Sequence, residues 1–231
     1  MSSSRFLAAS IVAVLAMTSA AVAQGSGSSV GQSWSSTVNP AAPAANGLVL
    51  DAKQTEALNA VSKYFTDLKQ MKGNFIQTNA DGKKLRGRFT VKQPGRFRFD
   101  YGSGSKMVIV SDGTYLAIQD LDLKTDDRIE LDRTPFRILL RKDVDILRDA
   151  RVLEVQDTGD LVIVALQDKS PDAPGRIRLF LSRAPELELK EWVTTDAQGL
   201  DTKIELSAIN KTDAVDDNLF KPAPVGLQKI Q

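Results

Sequence analysis

Cysteine and histidine are both absent from the 231 residues. Without thiols there is no disulfide, no thiolate nucleophile and no Cys/His zinc site. Without imidazole there is no Ser-His-Asp or Cys-His triad and no histidine-ligated haem. Aromatic residues make up only 6%, and nine of them are phenylalanine. An excess of either charge is missing too: Lys plus Arg is 30, Asp plus Glu is 29, and the net charge is +1. That balance exerts no global pull on nucleic acid or on an anionic membrane. The missing chemistry favours binding over catalysis.

Charge is also nearly missing from the first 50 residues, where Arg5 stands alone. Phe6 to Met17 is an apolar run of twelve broken only by Ser10, and Ala21-Val22-Ala23 follows. A basic start, a short apolar stretch and small residues at the cut are the layout of a secretory signal peptide, so residues 1–23 are expected to be cleaved after Ala23. The run is too short to span a bilayer. Residues 24–47 carry no charge and are mostly small and polar. They cannot bury enough apolar surface to offset chain entropy, which predicts a flexible leader. Residues 48–231 remain as a single domain.

Asp51 is an N-cap and Gln54 its capping-box partner. Leu58, Val61, Phe65, Leu68 and Met71 recur at spacings of three and four, which predicts a helix over Ala52 to Gln70 with Gly73 near its stop. The period then becomes two. Arg96, Arg98 and Asp100 alternate with Phe97, Phe99 and Tyr101, and Leu85 to Val91 alternates in the same way. Asp81-Gly82, Pro94-Gly95 and Asp112-Gly113 are turn signals between these strands. Met107 to Val110 is apolar on both faces and Tyr115 to Gln119 returns. An insert follows, with Thr134 as cap, Pro135 at the first helical position, and Phe136, Ile138, Leu139 and Leu140 behind it. Asp143 to Asp149 is a second short turn. Further strands are expected at Arg151–Gln156, Leu161–Gln167, Arg176–Leu181, Leu187–Thr194 and Asp201–Asn210, then a tied-down tail around Phe220-Lys221-Pro222.

About ten sequential strands with short turns make an antiparallel meander. The fold class is therefore mainly β with helices (α+β), a strongly curved antiparallel sheet. A barrel-like sheet of this size is not filled by its own side chains unless helices plug it. Phe89, Phe97, Phe99 and Tyr101 are candidates for its concave face, with Phe75, Val91, Ile109 and Leu116 beside them. Leu58, Val61 and Phe65 of the helix, and Phe136, Leu139 and Leu140 of the insert, are candidates for the plug or lid. In an ordinary sandwich the same aromatic row would be plain core, and the insert would equally be a fixed core helix.

Several segments together resemble one family: Gly73-Asn74-Phe75-Ile76-Gln77, then Gly87-Arg88-Phe89, then Lys92-Gln93-Pro94-Gly95-Arg96-Phe97-Arg98-Phe99. Val108-Ile109-Val110-Ser111-Asp112-Gly113 and Thr134-Pro135 before Leu139-Leu140 complete the order. This order and spacing resembles the periplasmic outer-membrane lipoprotein carriers, the LolA family, over about Ala52 to Pro224. The resemblance implies an unclosed β-barrel with an α-helical lid, holding the acyl chains of lipoproteins in a hydrophobic cavity. It implies a periplasmic monomer, loading by an ATP-driven release complex of the inner membrane, and delivery to an outer-membrane lipoprotein receptor. No cofactor, no metal and no nucleic acid are expected, from the composition and charge balance. Many members carry a basic residue before the proline corresponding to Pro94, and an arginine there can tie the lid to the sheet. This chain has Gln93, so Gln93, Arg96 and Arg98 are the latch or partner candidates. Rival readings are a lipid- or lipoprotein-sensing regulator of the same fold, or a carrier that also performs the outer-membrane insertion step.

Burial of each methylene is worth about 0.8 kcal/mol, so an acyl chain of roughly 16 carbons carries on the order of 12 kcal/mol before costs. A carrier must shield that surface without trapping it. Charge is uneven along the chain: Lys69 to Lys106 holds ten basic and two acidic residues, and Asp120 to Asp132 holds six acidic and two basic. Solvated outer strand faces account for such runs, and a basic rim facing an acidic partner or anionic headgroups is the alternative. Asp120, Asp122, Asp126 and Asp127 miss the EF-hand spacing, because Lys124 and Leu131 take ligand positions.

Overall fold

The computed structural model describes residues 48–102 and 104–224. The expected signal peptide and leader lie outside the described residues. Helix α1 (Ala52–Asp67) opens with the capping box: the Asp51 carboxylate accepts from Gln54 N–H at 2.7 Å, and Gln54 Oε1 accepts from Asp51 N–H at 3.0 Å. Its stripe of Leu58, Val61 and Phe65 is buried. The helix stops at Asp67 rather than Gln70. Leu68 is already extended, and Gln70 and Met71 pair with Lys92 and Val91 in the sheet. Leu68 and Met71 continue the helical spacing, yet the backbone there has better partners across the strand.

Strands β1 (Gln70–Thr78), β2 (Lys84–Lys92), β3 (Arg96–Tyr101), β4 (Met107–Asp112), β5 (Tyr115–Asp120) and β6 (Thr125–Glu130) form the first meander. Strands β7 (Ala150–Asp157), β8 (Leu161–Asp168), β9 (Arg176–Ser182), β10 (Glu188–Thr195) and β11 (Asp201–Asn210) form the second. The long return pairs β11 antiparallel with β1, so the order across one eleven-stranded sheet is β6-β5-β4-β3-β2-β1-β11-β10-β9-β8-β7. β6 and β7 are the two edges and the barrel does not close. β6 is a strand that periodicity does not announce, because Thr125 to Glu130 carries four charges in six residues.

Curvature shows in a ring contact. Phe99 on β3 and Trp192 on β10 have three strands between them in the sheet order, yet their ring centroids lie 6.2 Å apart. The concave face therefore folds over on itself. Gly73 is not a helix stop but a socket within β1: a Cβ there would lie 2.9 Å from the Phe89 ring and 2.6 Å from Ser207 O. Gly87 is the matching socket, where a Cβ would lie 2.7 Å from the Phe75 ring and 2.0 Å from Asp100 O. Each ring lies over the glycine that faces it across the β1–β2 pair.

On the outer face, Val108, Val110 and Ala117 form a second small cluster. The segment after β11 returns over this side as a helical turn (Asp217–Phe220) against β3 and β4, with Phe220 buried. Gln119 fixes it, donating to Ala223 O at 2.8 Å and accepting from Ala223 N–H at 3.0 Å. Among the described residues no helix is long and apolar enough to cross a membrane.

Candidate functional site: a strapped hollow in the concave face

The concave face has two ends. At one end the side chains fill it. Phe75 and Phe89 are 1% exposed. Tyr101 packs edge-on against Phe75 at 5.0 Å and donates its hydroxyl to Gln77 Oε1 at 2.6 Å. Gln77 in turn donates to Asn79 Oδ1, so this end is sealed by satisfied polar groups. Burial pushes the Tyr101 hydroxyl pKa far above its ordinary value and keeps it a neutral donor.

At the other end a hollow of about 90 Å³ remains. Its floor includes Val91, Phe97, Phe99, Ile109 and Leu116 from the first meander, and Ile177, Leu179, Leu189, Trp192 and Ile204 from the second. Phe65, Leu68 and Met71 close the α1 side, and Thr194, Thr202 and Gln93 are the polar contributors. The cover is the segment that joins the two sheet edges. It carries a helical turn (Leu131–Arg133), a second (Pro135–Ile138) and helix α2 (Ile146–Asp149). Phe136, Leu139 and Leu140 point from it into the hollow.

Thr134 does not cap the second turn; its hydroxyl donates back to Leu131 O at 2.8 Å. The expected α-helix from Pro135 is a single tight turn instead, so the cover is a strap rather than a helix. At Leu139 and Leu140 the strap meets the β2–β3 turn: Gln93 Nε2 donates to Leu139 O at 3.0 Å and Gly95 N–H to Leu140 O at 2.8 Å. Two residues earlier it meets the end of β8, where the Arg137 guanidinium grips both oxygens of Asp168, with Nη2 to Oδ1 at 2.7 Å. The Asp168 side chain has no exposure, and its hydrogen bond holds Arg137 above the usual guanidinium range. Beyond it, Ser62 and Thr66 of α1 bolt the start of α2 through their hydroxyls, accepting from Ile146 and Val144 N–H at 3.2 and 3.1 Å.

Among the sequence-derived cavity candidates, Val91, Phe97, Phe99, Ile109 and Leu116 line the hollow, whereas Phe75, Phe89 and Tyr101 belong to the filled end. Among the lid candidates, Phe65, Phe136, Leu139 and Leu140 line it; Leu58 and Val61 are fully buried core beneath α1. Gln93 is the latch candidate that bonds to the strap. As latches, Arg96 and Arg98 are corrected: they alternate onto the outer face and hold the Asp217–Phe220 turn. Arg96 Nη1 meets Asp217 Oδ1 at 2.9 Å and its guanidinium lies 5.7 Å over the Phe220 ring. Arg98 forks onto Asp100 and reaches Leu219 O at 3.3 Å. The lining from β9, β10 and β11 was missed. Its strands were expected, but nothing in their alternation says that they face β3 across the cup.

The energetics of the strap follow from its contacts. The Arg137–Asp168 fork is charged and shielded, whereas the Gln93 and Gly95 attachment has two neutral hydrogen bonds worth about 1 kcal/mol each. With the strap down, the hollow of about 90 Å³ has room for only a few water molecules. A long acyl chain needs several times that, so accommodating one requires the strap and the rings under it to move.

A protein-family model, that of the outer membrane lipoprotein carrier protein LolA, matches residues 66–223. The chain is 30% identical over 192 residues to an outer-membrane lipoprotein carrier protein of Chromobacterium violaceum, covering 80% of this chain and 91% of that one. It is 27% identical over 186 residues to one of Halorhodospira halophila, covering 77% and 86%. Among solved structures, a LolA superfamily protein from Nitrosomonas europaea superposes with a TM-score of 0.40 at 10% identity, over 71% of this chain and 97% of that one. With more than half of its length matched by that model, this chain belongs to the family of the outer membrane lipoprotein carrier protein LolA.

Proposed function

We propose that this protein is a periplasmic chaperone that takes the acyl chains of lipoproteins into the strapped hollow and carries them from the inner to the outer membrane. The observation that carries this reading is the apolar hollow under a strap whose inner face is Phe136, Leu139 and Leu140, in a chain of the lipoprotein-carrier family. Apolar walls give contact area and few directional bonds, so the hollow selects for acyl chain and tolerates varied cargo. The strap residues compete with cargo for the same surface. Affinity is therefore what remains after displacing them, and release needs only a partner that favours the strap-down state. Loading by an ATP-driven inner-membrane complex and hand-over to an outer-membrane receptor complete the proposal.

The test is release of a labelled lipoprotein from inner-membrane spheroplasts. Phe99 lines the hollow and is only partly buried. Phe99→Glu places a carboxylate against acyl chain, and release should fall to background while circular dichroism stays that of the wild type. Wild-type release by this variant would remove the hollow from the reading.

A further inference from the structure

A second groove, of about 510 Å³, adjoins the hollow. It runs between the β2–β3 turn (Pro94, Gly95), the β4–β5 turn (Gly113, Thr114) and the strap at Leu140 and Arg141. Leu140 is a wall of both spaces, and Gln93 faces the hollow while its neighbour Pro94 faces the groove. The partition between them is the Leu140 side chain and the Gly95 N–H bond to its carbonyl.

The two spaces differ in chemistry. The hollow is almost wholly apolar. The groove has guanidinium groups from Arg96, Arg137 and Arg141 and carboxylates from Asp112 and Asp132. Arg96 is paired with Asp217 at 2.9 Å and Arg137 with Asp168, so Arg141 is the freest of the three: its ion pair with Asp149 is 3.6 Å long and its side chain is 38% exposed. The bonds at the partition are the weaker of the strap's attachments. Parting Arg137 from Asp168 would strand a shielded carboxylate, whereas parting Leu139 and Leu140 from Gln93 and Gly95 breaks neutral hydrogen bonds.

We infer that this groove is a subsite for the peptide segment that immediately follows the acylated residue of the cargo. This inference rests on the proposed carriage of acylated cargo and adds where the rest of that cargo sits. A lipoprotein presents apolar chains and a polypeptide joined at one residue. When the chains enter the hollow, the polypeptide must leave it, and its backbone N–H and C=O groups need partners at the exit. A groove with both signs of charge, sharing the Leu140 wall with the hollow, supplies them. A lone anionic headgroup would meet the two carboxylates as well as the cations, so the mixed lining fits a polypeptide better.

The experiment is site-specific photo-crosslinking in the full-length protein with a short synthetic diacylated lipopeptide. The photoreactive residue replaces Phe99 in the hollow, Thr114 in the groove, or Asp172 in the β8–β9 turn, outside both spaces. Mass spectrometry then locates the adduct. Phe99 is expected to capture acyl chain, Thr114 the first peptide residues, and Asp172 several-fold less of either. Thr114 adducts no more abundant than those at Asp172, with acyl capture intact at Phe99, would overturn the groove and leave the carriage standing. Equal capture at Thr114 of the same peptide without its acyl chains would overturn it as well. Loss of acyl capture at Phe99 would instead bring down the carriage reading and this inference with it.

Discussion

The filled end and the hollow end of the concave face are built from the same strands, on the same face, with the same residue types. Phe75, Phe89 and Tyr101 at one end are fixed core; Phe97 and Phe99 at the other wall a cavity. The difference lies in what meets each ring. At the filled end, Gly73 and Gly87 let rings lie flat on the opposite strand, and a polar trio of Tyr101, Gln77 and Asn79 seals the edge. At the hollow end, the facing partners are α1 and a strap held by few bonds. Phe99 bridges the two ends, touching Phe75 at 5.0 Å and Trp192 at 6.2 Å. The comparison teaches that a strand aromatic becomes site or core according to the element placed over it.

The sharpest way to break this comparison is to truncate one ring at each end. Phe75→Ala should cost about 3–5 kcal/mol in denaturant unfolding, because the site around it cannot collapse. Phe99→Ala should cost about 1–2 kcal/mol, since that ring is partly exposed beside existing space. Equal losses would erase the distinction.

The strap's two attachments come next. Arg137→Ala leaves the shielded Asp168 carboxylate without its partner and should cost about 2–3 kcal/mol, at the low end for a broken buried pair because water reaches Arg137. Gln93→Ala should cost about 1 kcal/mol and act on the strap alone. Hydrogen exchange should show the amides of residues 139–141 opening about fivefold more often while those of β3 do not change. If β3 loosened equally, the strap would be part of the global fold rather than a cover.

The smallest effect is expected on the outer face. A hydrogen bond from Lys92, with the charges of Lys92 and Arg96, holds the Asp217 carboxyl below the usual carboxylate range. Its contribution is complete above the ordinary value of about 4 and is lost as pH falls through the lowered folded-state value. Because the group is exposed, the contribution is small and salt-sensitive. Acid should therefore loosen the 217–223 segment before the sheet, seen by exchange at the Ala223 amide. Asp217→Asn should lack that step, and an unchanged step in the variant would assign it elsewhere.

Much of the fold was legible because strands with one buried face declare it. Arg96 to Tyr101 has the bounds that alternation predicts, and β11 has them also. The α1 capping box was legible for a similar local reason. β6 was not, since an edge strand can carry charge on both faces when neither is covered. The end of α1 was overrun because Leu68 and Met71 fit the helical period while serving the sheet. Gly73 was misread as a stop because a glycine that admits a neighbouring ring looks, in one dimension, like a glycine that ends a helix. Half of the hollow's wall was legible and half was not, for one reason: the β3 side was identified by its aromatics, but β9 and β10 meet it only through curvature.

By itself the sequence determined which side chains face inward, where the turns fall and which chemistry is impossible. These depend on the two-residue period, on turn residues and on the absence of thiol and imidazole, all properties of neighbours along the chain. Only the tertiary structure decided which part of the inward face is solid and which is hollow, and which attachment of the strap is charged and shielded. Those outcomes depend on how volumes and charges from residues far apart in the chain meet across a curved sheet, such as Arg137 on Asp168 or Phe99 on Trp192.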